Sequence, residues 1–260
     1  MCFDHDSRPP IPRIAGGALD SRELTLTASD GNQLTAFEAR ATDATGASIL
    51  ILPDVRGLHE YYVDLALRFA ERGIDALAID WFGRTAGLGR REEGFDYMPH
   101  VTATTWPGLT ADIAAATEHL RSIEGPPTDV FSVGFCFGGR LSFLASTLDL
   151  GFAGVVGFYG SPVGPGRGGS PEPVAVTDRI ASPVLALFGG ADAGIPPEAI
   201  AAFDAALGQA GVEQRLVIYP GAPHSFFDRK AADFAEASDA AWAEILDFID
   251  AHRTAATPAN

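Results

Sequence analysis

Asp129-Val130-Phe131-Ser132-Val133-Gly134-Phe135-Cys136-Phe137-Gly138-Gly139-Arg140 is the stretch on which the reading of this chain turns. An apolar run with β-branched residues meets a G-x-C-x-G turn, and a helical pattern follows. This is the strand–turn–helix context of a nucleophile elbow, with a thiol where serine is more usual. Glycine is needed on both sides of the turn, because side chains there would collide with neighbouring backbone. Cys136 is then presented at the start of a helix, where unpaired N–H groups and the positive dipole end favour a thiolate. The alternative is a buried, inert cysteine in a glycine-rich connection, a common fate of free cysteine.

What separates the two is the company Cys136 keeps further along the chain. Gly189-Gly190-Ala191-Asp192 follows the apolar run Val184-Leu185-Ala186-Leu187-Phe188. Gly221-Ala222-Pro223-His224-Ser225-Phe226 follows Arg215-Leu216-Val217-Ile218-Tyr219. Thiol, acid and imidazole thus come in the order nucleophile, acid, histidine that alpha/beta hydrolases use. Asp192 and His224 both stand just past the carboxyl ends of expected strands, the edge of an open parallel sheet where active sites gather.

The pattern around these segments is α/β. Residues 23–28 and 34–39 read as an antiparallel hairpin around the turn Ser29-Asp30-Gly31-Asn32. Strands at 48–52, 74–79, 154–159, 184–188 and 215–219 then alternate with helical stripes. Leu109, Ile113, Ala116 and Leu120 mark one stripe; Trp242, Ile245 and Ile249 mark another. Alternation of this kind implies a mostly parallel central sheet with helices on both faces. Residues 83–107 and 160–177 interrupt the rhythm with polar and glycine-rich sequence. Loops of such length inside a domain are commonly lids or binding loops. The expected organisation is an extended segment over residues 1–20, a single domain over 21–252 and an unstructured tail over 253–260.

Composition bounds the function. The chain has 260 residues, 47% of them hydrophobic, which is ample for a globular core. Its apolar runs are only strand-length, so no membrane span is expected. The first residues lack a basic start and an apolar stretch, so the expected location is cytoplasmic. A formal net charge of −16 argues against nucleic acid or an anionic membrane as partner. The two cysteines, Cys2 and Cys136, do not make a disulfide framework. No pair of histidines or carboxylates has ligand spacing, so no metal is expected.

Taken together, the blocks around Cys136, Asp192 and His224 resemble the dienelactone hydrolase family, a cysteine branch of the alpha/beta hydrolases. The resemblance runs from about Leu24 to about Ile249. It includes Leu52-Pro53-Asp54-Val55-Arg56-Gly57, Ala78-Ile79-Asp80-Trp81-Phe82-Gly83 and Gly157-Phe158-Tyr159-Gly160. It implies an alpha/beta-hydrolase fold and hydrolysis of esters or enol-lactones without metal or organic cofactor. Cys136 would be the nucleophile, His224 the base and Asp192 the triad acid, working through a thioester on a small-molecule ester or lactone. Oxyanion donors are expected from the backbone N–H groups of Phe137 and Val55. The family commonly has a glutamate beside the thiol, and this sequence has Asp54 there, one methylene shorter. Asp54 is either a support for the thiol or a cap on local backbone N–H groups.

Arg56, Arg84 and Ser225 are the substrate-binding candidates, the arginines as forks for a carboxylate or else as structural bridges to Asp54 or Asp80. Trp81, Phe82, Tyr97 and Trp106 are candidates for an aromatic wall, and His59 and His100 for loop positions near the mouth. Two rival functions remain open. One is a broad carboxylesterase on neutral esters. The other is a non-catalytic redox sensor using Cys136 as an oxidisable thiol. The sequence leaves the oligomeric state open.

Overall fold

Apolar runs such as Ala47–Leu52 and Val184–Gly189 become strands buried along their whole length, as expected of a sheet covered on both faces. The structure, a computed structural model, describes residues 7–14, 20–123, 129–228 and 230–254. Cys2, His5 and nearly all of the C-terminal tail lie outside the described residues. The chain opens with the hairpin β1 (Asp20–Thr27) and β2 (Gln33–Arg40), then β3 (Ala47–Leu52), α1 (Glu60–Ala70) and β4 (Ile74–Ile79). Two short helices, α2 (Gly83–Ala86) and α3 (Tyr97–Thr102), lie in the first irregular stretch and lead to α4 (Trp106–Ser122). Next come β5 (Asp129–Phe135), α5 (Phe137–Ala145), β6 (Gly154–Phe158), β7 (Val184–Gly189), α6 (Pro197–Ala210), β8 (Gln214–Tyr219) and α7 (Ala235–His252).

The eight strands form one sheet in the order β1-β2-β4-β3-β5-β6-β7-β8. β1 with β2, and β2 with β4, pair antiparallel; the remaining pairs are parallel. The connection from β3 to β4 steps toward one edge, while those from β4 onward step toward the other. Right-handed crossovers therefore send α1 to one face and α4, α5 and α6 to the opposite one. Ring contacts agree with the two layers. Phe69 of α1 meets Trp242 of α7 at 4.8 Å, and Phe143 of α5 meets Phe203 of α6 at 5.0 Å. Each large aliphatic side chain removed from water in these layers contributes roughly 1.5–3 kcal/mol before its entropy cost.

The first irregular stretch is less open than its sequence implies. Asp80, at the end of β4 and fully buried, accepts from Nε and Nη2 of Arg91 at 3.1 and 2.7 Å. The same carboxylate accepts from Leu58 N and Phe82 N. The Arg91 guanidinium also lies 5.0 Å from the Phe95 ring centre, and His100 stacks on Phe95. One buried ion pair thus pins the excursion to the loop that follows β3.

The centre of the sheet positions everything that follows. β5 lies between β3 and β6, with Leu52 opposite Gly134 and Phe135 opposite Phe158. A Cβ on Gly134 would stand 1.9 Å from the Gly138 oxygen, and one on Gly138 would stand 2.0 Å from the Leu52 oxygen. Only hydrogen fits in either gap. Gly134→Ala is therefore expected to destabilise the fold by about 3 kcal/mol or more, because the obstacles are backbone atoms that cannot rotate away. Urea unfolding of the two proteins checks this, and an unchanged midpoint would show that the turn relaxes.

Candidate active site

The β5–α5 turn forces Cys136 into a conformation that L-residues avoid, φ 55° and ψ −108°. Its N–H donates to the Phe158 oxygen at 3.0 Å, and its own carbonyl accepts from Arg140 N at 3.1 Å. Strain of this kind costs on the order of 1–3 kcal/mol and persists only where neighbouring structure over-determines it. Among the described residues, four non-glycine residues have positive φ, and three of them, Cys136, Tyr159 and Ser225, belong to this region. The thiol is partly exposed, unlike the buried strand that delivers it.

Asp192 and His224 arrive from adjacent loops. β7 and β8 pair in register up to Gly189 opposite Tyr219. Beyond that, Gly190 N donates to Tyr219 O at 2.8 Å and Ala191 N to Ala222 O at 2.9 Å. The two loops are thereby zipped together. Asp192 Oδ2 lies 2.6 Å from His224 Nδ1, and Asp192 Oδ1 accepts from Gly194 N at 2.8 Å. A carboxylate can only accept, so the ring donates from Nδ1 and leaves Nε2 as its basic atom. Three further hydrogen bonds hold the segment after His224. Tyr159 Oη donates to Asp228 Oδ2 at 2.8 Å, Tyr61 Oη to Phe227 O at 3.1 Å and Ser238 Oγ to Phe226 O at 3.0 Å. The Tyr159 ring also packs 4.8 Å from the His224 ring. Burial first, and then the charge of Asp228, hold the Tyr159 phenol well above its usual range, so it stays a neutral donor.

Cys136 and His224 face a single cavity of about 310 Å³. Val55 and Phe137 line it as well, together with Tyr159, Ile195 and residues from the 161–167 segment. Phe137 is the first residue of α5, where a helix leaves its N–H without an intrahelical partner. Val55 reaches the same place because β3 ends beside β5. Its loop is fixed from two sides. Trp81 Nε1 donates to Pro53 O at 3.0 Å, and Asp54 N donates to Tyr62 Oη at 2.9 Å.

Asp54 is completely buried. Its Oδ1 accepts from Arg56 N at 2.8 Å, and its Oδ2 lies 3.7 Å from Arg56 Nε. Together with the bond from Gly57 N to Asp54 O, these contacts shape the turn that carries Val55. Arg56 is thereby turned toward Asp54, and neither side chain is part of the cavity lining.

Arg84 stands elsewhere, and it is neither of the bridges its sequence position suggests. Its guanidinium pairs with Asp30 of the β1–β2 turn and with Asp112 of α4, and Nη2 also donates to Gly108 O. Asp112 is buried, and burial, only partly offset by Asn32 and Arg84, pushes its carboxyl above the ordinary range. Arg90 pairs with Glu23 and Glu60. Ser225 is fully buried beside His224, and its Oγ has no partner among the described residues. Of the proposed aromatic wall, Trp81 and Phe82 are buried in the core and none of the four lines the cavity. His59 is buried edge-on to Tyr62, and His119 is bound to Glu38 at 2.6 Å.

Two lining arginines escaped the sequence reading. Arg140 follows Cys136 by one helical turn, and Arg167 lies in the second irregular stretch. The spacing of Arg140 from Cys136 was the available signal, since positions four apart share a helix face.

A mostly parallel sheet with a strained cysteine at its central strand end, and a paired acid and imidazole on the next loops, defines an alpha/beta-hydrolase. Residues 34–253 match the dienelactone hydrolase family, to which this chain belongs. A Yersinia pestis protein provisionally named carboxymethylenebutenolidase is 29% identical over 241 residues, covering 90% of each chain. A Methylorubrum extorquens protein of the same provisional name is 29% identical, over 86% of this chain and 84% of its own. Among solved structures, one described provisionally as a Klebsiella pneumoniae dienelactone hydrolase superposes with a TM-score of 0.79. It is 26% identical and covers 90% of this chain and 99% of its own. The protein is accordingly a hydrolase of the carboxylic ester class.

Arg84→Ala is expected to cost about 2 kcal/mol of stability, because the buried Asp112 loses its charged partner. Michaelis constants for a carboxylated lactone and a neutral ester should respond alike. A selective rise for the lactone, measured alongside urea unfolding, would return Arg84 to substrate binding.

Proposed function

We propose that the protein hydrolyses small esters or lactones by covalent catalysis, with Cys136 as nucleophile, His224 as base and Asp192 as the residue that orients it. The observation that carries this reading is the 2.6 Å Asp192–His224 contact at a cavity that also holds Cys136. His224 Nε2 takes the thiol proton, and the thiolate adds to the ester carbonyl. The tetrahedral oxyanion is stabilised by the N–H groups of Val55 and Phe137, each donor being worth about 3 kcal/mol. Collapse expels the alkoxide or enolate, which takes its proton from the imidazolium. Water, deprotonated by His224, then cleaves the thioester and restores the thiol. Asp192 supports the charged ring at both stages.

The cavity favours compact substrates, since about 310 Å³ is at the lower end of small-molecule sites. Its lining includes two arginines and no carboxylate; the Arg140 guanidinium is committed to backbone carbonyls, which leaves Arg167 as the exposed cation. That charge balance suits an anionic ester or lactone, in keeping with the carboxymethylenebutenolidase name of the relatives. Arg167 is exposed and takes the role of carboxylate receptor first sought in Arg56 and Arg84. A broad esterase for neutral esters would not need Arg167. A redox sensor would need neither Asp192 nor a zipped pair of loops to hold it.

Asp54 acts in this scheme through the turn it caps, by aiming the Val55 N–H. Asp54→Asn preserves an acceptor for Arg56 N and is expected to keep kcat within about fivefold, whereas Asp54→Ala should lose about tenfold or more. Equal losses in steady-state assays of both variants would mean that the carboxylate charge itself is used.

Cys136→Ala and His224→Ala should each lower turnover of p-nitrophenyl acetate about 1,000-fold or more. Wild-type turnover by the Cys136→Ala protein would sink the assignment.

A further inference from the structure

Arg140 is over nine-tenths buried, and the hydrogen bonds of its guanidinium among the described residues go to backbone rather than to a carboxylate. Its partners are four backbone carbonyls. Nη1 donates to Ser161 O and Val163 O, both at 3.0 Å, and Nη2 donates to Gly164 O at 2.8 Å and Pro171 O at 2.9 Å. All four Nη hydrogens are thereby committed to one loop. Glu172, at the end of that loop, accepts from Gly164 N at 2.9 Å and closes it from the other side.

The loop concerned is a wall of the thiol cavity: Ser161, Val163, Gly164 and Arg167 line it. It has no strand and only three short turns of 3-10 helix between Phe158 and Val184. Four carbonyl oxygens pointing inward at one spot repel each other unless a cation with matching donors lies between them. A planar guanidinium meets that demand, whereas a lysine ammonium offers three donors from a single point. The far side of the loop packs on the other irregular stretch, where a Cβ on Gly168 would stand 2.7 Å from the Thr104 oxygen. The backbone N–H of Arg140 donates to Cys136 O at 3.1 Å, so the guanidinium and the nucleophile are fixed to the same first turn of α5.

We infer that Arg140 is a positioning residue that clamps the 161–171 loop to the nucleophile helix, fixing the cavity wall relative to Cys136 and thereby setting which substrates fit. The kinetic consequence rests on the hydrolase reading given above; the structural one does not. Loss of the fork leaves four inward carbonyls without donors, and the loop turns them out to water. The cavity wall then opens while the sheet and α5 keep their packing.

Hydrogen exchange followed by mass spectrometry on the full chain tests this without reference to activity. In Arg140→Lys and Arg140→Met, amides of residues 161–176 should exchange about tenfold faster or more, while β5 and α5 stay within about twofold of wild type. Glu172→Ala leaves α5 untouched, removes the acceptor of Gly164 N and should give the same localised change at smaller size. With an aryl ester as substrate, the Michaelis constant of Arg140→Lys should rise about fivefold or more, exceeding any fall in kcat. Unchanged exchange in the loop, protection regained with lysine, or faster exchange spread evenly over the chain would each overturn the clamp. Absence of esterase activity in the wild-type protein, with loop exchange still localised, would instead count against the hydrolase reading and leave the clamp supported.

Discussion

The arrangement depends on a backbone contact in which no side chain takes part. The β5–α5 turn is pressed between the ends of β3 and β6, so that Gly134 and Gly138 touch carbonyl oxygens with nothing but hydrogen between them. That closeness drives Cys136 to a φ of 55° and a ψ of −108°. The strain is held by the ladder bonds on both flanks of β5. The result is a thiol lifted out of a buried strand into a cavity, at the end of a helix whose first N–H groups face the same way.

Around that fixed point, the other groups are delivered by register. Parallel strands that end at the same level put their following loops side by side, and here three loops matter. The loop after β3 carries Val55, the loop after β7 carries Asp192, and the loop after β8 carries His224. None of these relies on the side chain alone. Asp54 and Trp81 shape the first loop, Gly190 and Ala191 tie the second to the third, and Tyr159, Tyr61 and Ser238 hold the segment after His224. Such support matters because catalytic geometry tolerates errors of only about half an ångström.

The electrostatic pattern is uneven in an informative way. The chain has a net charge of −16, yet the cavity lining contains two arginines and no carboxylate. Arginines of the first irregular stretch lie outside that lining and are paired with acids: Arg84 with Asp30 and Asp112, Arg90 with Glu23 and Glu60, and Arg91 with Asp80. Overall acidity therefore says little about the local field at the thiol, because salt largely screens exposed charges more than a Debye length away.

The sequence by itself determined the α/β alternation, the hairpin at the start, the turn at Cys136 and the places of Asp192 and His224 on loops. These are local signals: an apolar run has a length, a glycine pair marks a tight turn, and strand ends can be read from where the run stops. The sequence could not say which acid each arginine would meet. The partners of Arg84 lie 54 and 28 residues away, and ion pairs between such positions exist only once β1, β2 and α4 have packed. Nor could it reveal Arg140 as the centre of a loop, because backbone carbonyls leave no trace in side-chain identity. Tertiary structure decided those pairings and the shape of the cavity, since both depend on distances that no linear spacing encodes.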